Sequence, residues 1–429
     1  MTKVLYKIVL LAAVAVVSSV HATEQECTLP QGASVDDNND EMTSQQQQLD
    51  KEEEDWGSIV PIPKMPEAIR AVLQRDWKAL GGDVMLDSLR SDGVLEFAHG
   101  RADFYSHLQG TYSILKIWNQ PEAVCRTGMT HTAYSGDLFQ FFLWDSVANR
   151  DELRSMIGEE AEALTYIFGT INRGQLGGFG ATIHNHTVMA PLTEAHYNVS
   201  HRETGTTLVS KKDAARIIMV TIADYLDQMV DTNGWRDHHQ VEFADRLYPG
   251  DGRPAIALNW FSTACMAIRD HLDVVPPVFQ HCTERLSIEN EIRARDAYWH
   301  LTLHEKDLTE EEQEQLLKQS IEWNPYVGEP HMLLSQLYFR NGQFRQAAHQ
   351  ARYALEKFYA LASAWDKRRD YAHWVGFARM LMLRSNRLIQ GKTHLPYHDP
   401  TDPTYQSAGG LYLTSLHDVV AEMKSYEEA

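Results

Sequence analysis

"DFYSHLQGTYSILKIW", residues 103–118, sets the reading of this chain. Phe104, Leu108, Leu115 and Trp118 recur at helical spacing, which predicts one amphipathic helix from Asp103 to Trp118. His107 falls on that apolar face, where an imidazole needs a partner. Working outward, Pro121 takes the favoured first-turn position of a second helix that runs to about His131. Asp151 to Ile171, with "IGEEAEALTYIFGTI" at its core, predicts a third. A Gly-rich break at Gly174 to Gly180 leads into a polar loop, 181–206. Ser210 and Asp213 then make a capping-box-like start for a helix to Val230. Convincing strand alternation is absent, so the expected class is all-α.

The ends carry other information. Lys3 and Lys7, the apolar run Ile8 to Val20 and the small residues of Val20-His21-Ala22 read as a signal peptide, residues 1–22. The run is shorter than the about 20 residues of a membrane span. The mature chain is therefore expected in the secretory pathway or secreted, with no membrane contact after cleavage. Net charge is −20, and −22 once the two lysines of that segment are removed. Such a surface repels phosphate backbones, which argues against nucleic acid as a partner. An acidic leader, residues 23–60, has little to bury and is expected to be disordered. Pro61, Pro63 and Pro66 mark entry to the first domain, 61–286. Four cysteines make no disulfide framework. Cys265 and Cys282 lie on consecutive helical stretches, either paired across a hairpin or as two thiols. Asn185 and Asn198 head glycosylation sequons, both in the polar loop.

A different rhythm begins at Ser287. "EPHMLLSQLYFRNGQFRQAAHQARYALEKF" places Leu334, Leu337 and Tyr338 on one helix and Phe344, Ala347, Ala348, Ala354 and Leu355 on a second, about an Asn341-Gly342 turn. This spacing resembles a tetratricopeptide repeat, and 287–390 is expected to form two or three such hairpins. They either hold a peptide or protein in a concave groove or buttress the first domain. Pro396, Pro400 and Pro403 mark a linker within 391–429, before a last amphipathic helix from Leu411 to Lys424.

"DFYSHLQGTYSIL", "MTHTAYSG", "IGEEAEALTYIFGTI" and "VTIADYLDQM" together resemble the HD superfamily, and within it the hydrolase domain of alarmone enzymes. His107 and His131 are 24 residues apart, similar to the family's spacing, and Asp224 stands on a helix like the one that bears its last ligand. The resemblance covers roughly residues 95–230 and implies an HD-like helical bundle. It also implies that His107, His131 and Asp224 hold a divalent metal (Mn, Fe or Zn); from the residues themselves, His99 and Thr132 are further, weaker ligand candidates. Thr132 stands where the family has the aspartate of its His-Asp pair, and Ser135 and Gly136 where the alarmone enzymes have an acidic pair. The chain thus resembles a degenerate, uncharacterised branch with an "HGR…SH…HTxYS" core, and alarmone hydrolysis is not expected.

Read without the family, two neutral imidazoles and one carboxylate suit a divalent transition metal. Each histidine also fits a hydrogen-bonded core role. Glu159, Glu160 and Asp137 are candidates to replace the missing acid, and Arg101 to meet an anionic substrate. Three functions follow. One is a metal-dependent hydrolase of a small anionic or phosphorylated substrate. The second is a non-catalytic binding or scaffold protein on the same core. The third is a non-haem iron oxidative enzyme, which would draw further ligands from His184, His186, His196 and His201.

Overall fold

The computed structural model describes residues 59–82, 89, 94, 98–99, 102–136, 142–180, 188–228, 254–280 and 285–391. The segment expected to be a signal peptide, nearly all of the expected leader, Arg101, Asp137, Asn185, His184, His186, Cys282 and the helix expected at 411–424 lie outside the described residues. His99 is described in its backbone alone. All described residues belong to one compact unit, Trp56–Ala429.

The fold is all-α, with fourteen helices and two short antiparallel ribbons among the described residues. Helices α1 (Glu67–Gln74) and α2 (Trp77–Leu80) precede a ribbon of β1 (Ala98–His99) and β2 (Ala102–Asp103). Four helices follow: α3 (Phe104–Ile117), α4 (Glu122–Thr130), α5 (Arg150–Ile157) and α6 (Glu159–Thr170). A second ribbon, β3 (His196–His201) and β4 (Gly205–Ser210), leads into α7 (Lys211–Gln228). After it come α8 (Leu258–Ile268), α9 (Pro277–Gln280), α10 (Ile288–His304), α11 (Glu310–Trp323), α12 (Glu329–Arg340), α13 (Phe344–Leu361) and α14 (Tyr371–Ile389).

Local chemistry accounts for several boundaries. The Asp103 carboxylate accepts from the Ser106 amide at 2.8 Å and caps α3. At α7 the Ser210 hydroxyl accepts from the Asp213 amide at 3.1 Å, the expected start. Thr309 and Glu312 form a reciprocal capping box on α11. Gly342, at φ +73°, makes the tight turn between α12 and α13 that the Asn-Gly pair predicts.

Two expectations are corrected. The single helix over 151–171 is two, α5 and α6, because Gly158 adopts φ +91° and the chain turns there. The loop over 181–206 is not wholly irregular: 196–210 forms the β3–β4 hairpin, with Val199 and His201 turned inward on β3. Polar residues between these inward positions hide the alternation from a hydrophobic pattern. Asn198 is therefore an exposed strand residue rather than a loop residue.

Helices α10–α14 share one continuous apolar core with the bundle. The Trp118 indole donates to Ala360 O at 3.1 Å, and the Ser363 hydroxyl donates to Leu226 O at 3.3 Å, two residues from Asp224. Within these hairpins Glu329 is fully buried. Its Oε1 accepts from the amides of Trp365 at 2.6 Å and Asp366 at 3.0 Å, while Oε2 has no hydrogen-bond partner. Burial, helped by the nearby Asp366 charge, pushes its pKa up to about 7. A raised carboxyl pKa favours the fold when protonated. Its contribution is complete below the ordinary value of about 4.5 and is lost as pH rises through about 7. Urea unfolding at pH 5 and pH 8 should show wild type losing up to roughly 3 kcal/mol more than Glu329→Gln. Equal losses in the two proteins would show that Glu329 does not carry the effect.

Candidate metal centre

Three helices meet where the apolar pattern of each is broken by a polar group. His107 lies in the second turn of α3, His131 caps the C-terminus of α4, and Asp224 lies on α7. They are only 4%, 2% and 7% exposed. Each offers one ligand atom, and these atoms all lie within 4.8 Å of one another. His107 Nε2 is 3.1 Å from Asp224 Oδ1, and His131 Nε2 is 3.7 Å from the same oxygen. The polar residues that the sequence placed far apart do converge.

Outer contacts set which nitrogen of each ring faces inward. His131 Nδ1 lies 2.8 Å from Gly128 O, and a carbonyl can only accept, so Nδ1 carries the proton. Burial lowers the His131 pKa to about 4, which leaves the ring neutral and its Nε2 lone pair directed inward. His107 Nδ1 lies 2.9 Å from Asp227 Oδ2, one turn beyond Asp224 on the same face of α7. Burial alone would lower the His107 pKa, but hydrogen bonds to Asp224 and Asp227 outweigh it and raise the value to about 9. Without a metal, His107 is an imidazolium between two carboxylates. Burial also opposes ionisation of Asp224. Nevertheless His131, His107 and Arg173 hold its carboxyl well below the usual carboxylate range.

The residues fit a divalent cation. Ligand bonds of about 2.1 Å with angles of about 90–110° separate neighbouring ligand atoms by roughly 3.0–3.4 Å. The 3.1 Å between His107 Nε2 and Asp224 Oδ1 falls in that range, while His131 Nε2, at 3.7 Å from the same oxygen, has to move closer to share a cation. Asp227 supplies the carboxylate partner that metal-ligating histidines commonly have on their other nitrogen. Thr132, next in sequence to His131, has a buried Oγ1 with no hydrogen-bond partner.

Two glycines let the helices close on the site. A Cβ on Gly110 would overlap the Asp227 carboxylate, and one on Gly128 would overlap Leu115. Gly110→Ala gains about 1 kcal/mol of helix propensity, so any net loss of stability reports the clash. Displacing Asp227 should weaken metal binding roughly 10- to 100-fold, as read by titration of purified protein with zinc or manganese. Unchanged affinity would remove Asp227 from the site.

Other candidates fall elsewhere. Glu159 is exposed at the start of α6, outside the cluster, and Glu160 accepts from Arg216 at 2.9 Å. The buried acid of that motif is Glu162, held by Arg150 at 2.7 Å, Arg154 at 3.2 Å and Tyr134 at 2.9 Å. His196 is exposed on β3, and His201 Nδ1 accepts from the Glu203 and Thr204 amides, both at 3.2 Å. Neither extends the cluster. Cys265 is buried, and the partner considered for it lies outside the described residues.

Sequence reasoning did not single out Asp227, Gly110 or Arg173. Arg173 stacks on the Phe168 ring at 4.0 Å, donates to Thr221 Oγ1 at 3.2 Å and stands 4.0 Å from Asp224 Oδ2. The repeat of Asp at i and i+3 on α7 was a usable signal for Asp227. Arg173, just ahead of the Gly-rich break, had none.

Residues 88–173 match the model of a family described as a domain of unknown function (DUF6817). The match includes His107, His131, Thr132 and Arg173, and ends before Asp224 and Asp227. No curated protein and no solved structure matches the chain at a significant level.

Proposed function

We propose that this protein is a metal-dependent hydrolase of HD-like type, acting on a small anionic substrate. One observation carries this reading: both histidines present Nε2 to Asp224 while an outer acceptor, Asp227 or Gly128 O, occupies each Nδ1. A divalent cation held by His107, His131 and Asp224 would supply Lewis acidity toward a phosphoryl or carbonyl oxygen and lower the pKa of water. Asp227 keeps the His107 ring in orientation, and the Gly128 carbonyl does the same for His131. The predicted signal sequence puts this chemistry in the secretory pathway. Helices α10–α14 serve here as a buttress, consistent with the Ser363 hydroxyl bonded to α7 beside the site.

The second reading, a non-catalytic binding protein, has support of its own. The triad is closed by internal contacts, with Asp224 Oδ1 also accepting from Gln228 at 2.9 Å. Hydrolysis of a phosphomonoester and carboxyl-ester panel by zinc-, manganese- and iron-loaded protein separates the two. Turnover lost in Asp224→Asn and His131→Ala supports the enzyme. Stoichiometric metal without turnover on any substrate favours the binding protein.

A further inference from the structure

The β3–β4 hairpin carries a glycosylation sequon, Asn198-Val199-Ser200, in regular strand structure. The register places Asn198 directly opposite Leu208, and Ser200 opposite Thr206. Successive strand side chains alternate between faces, so these four residues share the outer face while Val199 and Val209 point inward. All four outer residues are exposed, and Leu208 is 68% exposed. A lone exposed leucine is common and needs no explanation by itself. Its position opposite the asparagine of a sequon is what gives this one meaning. It also stands on β4, which among the described residues pairs in a sheet with β3 alone. An edge strand that shows an apolar side chain to water invites pairing with another chain.

The backbone of the sequon is held without help from the asparagine side chain. The Ser200 amide donates to Gln175 Oε1 at 2.7 Å, and Ser200 O accepts from the Asn172 amide at 2.9 Å. A large group on Asn198 Nδ2 displaces neither bond. We propose that Asn198 carries an N-linked glycan whose innermost sugar packs over Leu208. This rests on the secretory entry proposed above. In the secretory lumen Nδ2 attacks the anomeric carbon of a lipid-diphosphate-linked oligosaccharide. A C–N bond forms, the C–O bond to the diphosphate breaks, the lipid diphosphate leaves and one amide proton is released. Directly opposed residues of an antiparallel pair have Cβ atoms about 4.5–5.5 Å apart, within reach of a sugar attached to Nδ2. The C–H face of that sugar covers the leucine and its hydroxyls meet water. The glycan then stands where a further strand would have to approach β4.

Secretion of the full chain from a eukaryotic host tests this, with Asn185→Gln as the background so that the other sequon is silent. The secreted protein should carry one N-glycan by intact mass. Asn185→Gln/Asn198→Gln should carry none. Ser200→Ala in that background should also lose the glycan with Asn198 in place, and Ser200→Thr should keep it. The glycosylated protein should melt about 1 °C or more above the doubly substituted one, and Leu208→Thr should abolish that difference. Secreted protein without a glycan at Asn198 overturns the proposal and leaves the secretory reading intact. A chain that never enters the secretory pathway overturns both. A glycan whose effect on melting is the same with Leu208→Thr overturns the packing on Leu208.

Discussion

Purified wild-type protein is expected to hold one divalent ion per chain, and His131→Ala or Asp224→Ala to lose it. The expectation follows from cost and geometry together. Full tetrahedral metal sites bind with about 10–16 kcal/mol, so each ligand of such a set is worth roughly 3–4 kcal/mol. Deleting one therefore weakens binding by about two to three orders of magnitude. The two variants should not behave alike without metal. Asp224→Ala leaves His107 with Asp227 as its carboxylate partner and should lower stability by about 3 kcal/mol. His131→Ala removes a neutral ring packed edge-on to Phe168, with centroids 5.4 Å apart, and leaves a cavity. Elemental analysis and metal titration read the first effect, and urea unfolding of stripped protein the second. Equal, low metal content in wild type and both variants would show that the triad is an internal ion pair with no metal.

Glu291→Ala is the second large expected effect, at about 3–5 kcal/mol of lost stability. Glu291 is fully buried on α10, and its carboxylate accepts from three successive amides at the start of α8: Ala257 at 2.9 Å, Leu258 at 2.7 Å and Asn259 at 2.8 Å. The Asn259 side-chain amide donates a fourth bond at 2.8 Å. Ala257, the N-cap residue of α8, makes no side-chain cap bond, so a residue 32 to 34 positions away caps that helix. Truncation strands buried donors at a helix N-terminus, where the helix dipole also favours negative charge. Glu291→Gln keeps one acceptor oxygen and should cost about half as much. Denaturant midpoints of the two variants measure this. A loss under about 1 kcal/mol in Glu291→Ala would mean water replaces the carboxylate. Because α8 falls before Ser287 and α10 after it, this bond also ties together the two segments that differ in sequence rhythm.

Much of the site was legible because its ligands interrupt apolar periodicity. His107 on the face of Phe104 and Leu108, and Asp224 on a helix apolar on nearly all sides, are conspicuous without coordinates. Helices α3, α4, α7, α12 and α13 were legible for the same reason, aided by Asp103, Ser210 and the Asn341-Gly342 turn. The break at Gly158 was not, since glycine inside a helical pattern is often tolerated at about 1 kcal/mol. Gly110 shows the converse: in sequence it is a weak spot in α3, and in the fold it is the space that Asp227 occupies.

The sequence by itself determined the helical class, most helix limits and the three residues able to bind a metal, because side-chain periodicity and capping are local. Only the tertiary structure decided that those three converge, that Asp227 and the Gly128 carbonyl orient the two rings, that Arg173 stands beside Asp224 and that Glu291 caps α8. Each of these is a contact between helices distant along the chain or a hydrogen bond formed across a helix end. Such contacts depend on how the helices pack, which local periodicity does not encode.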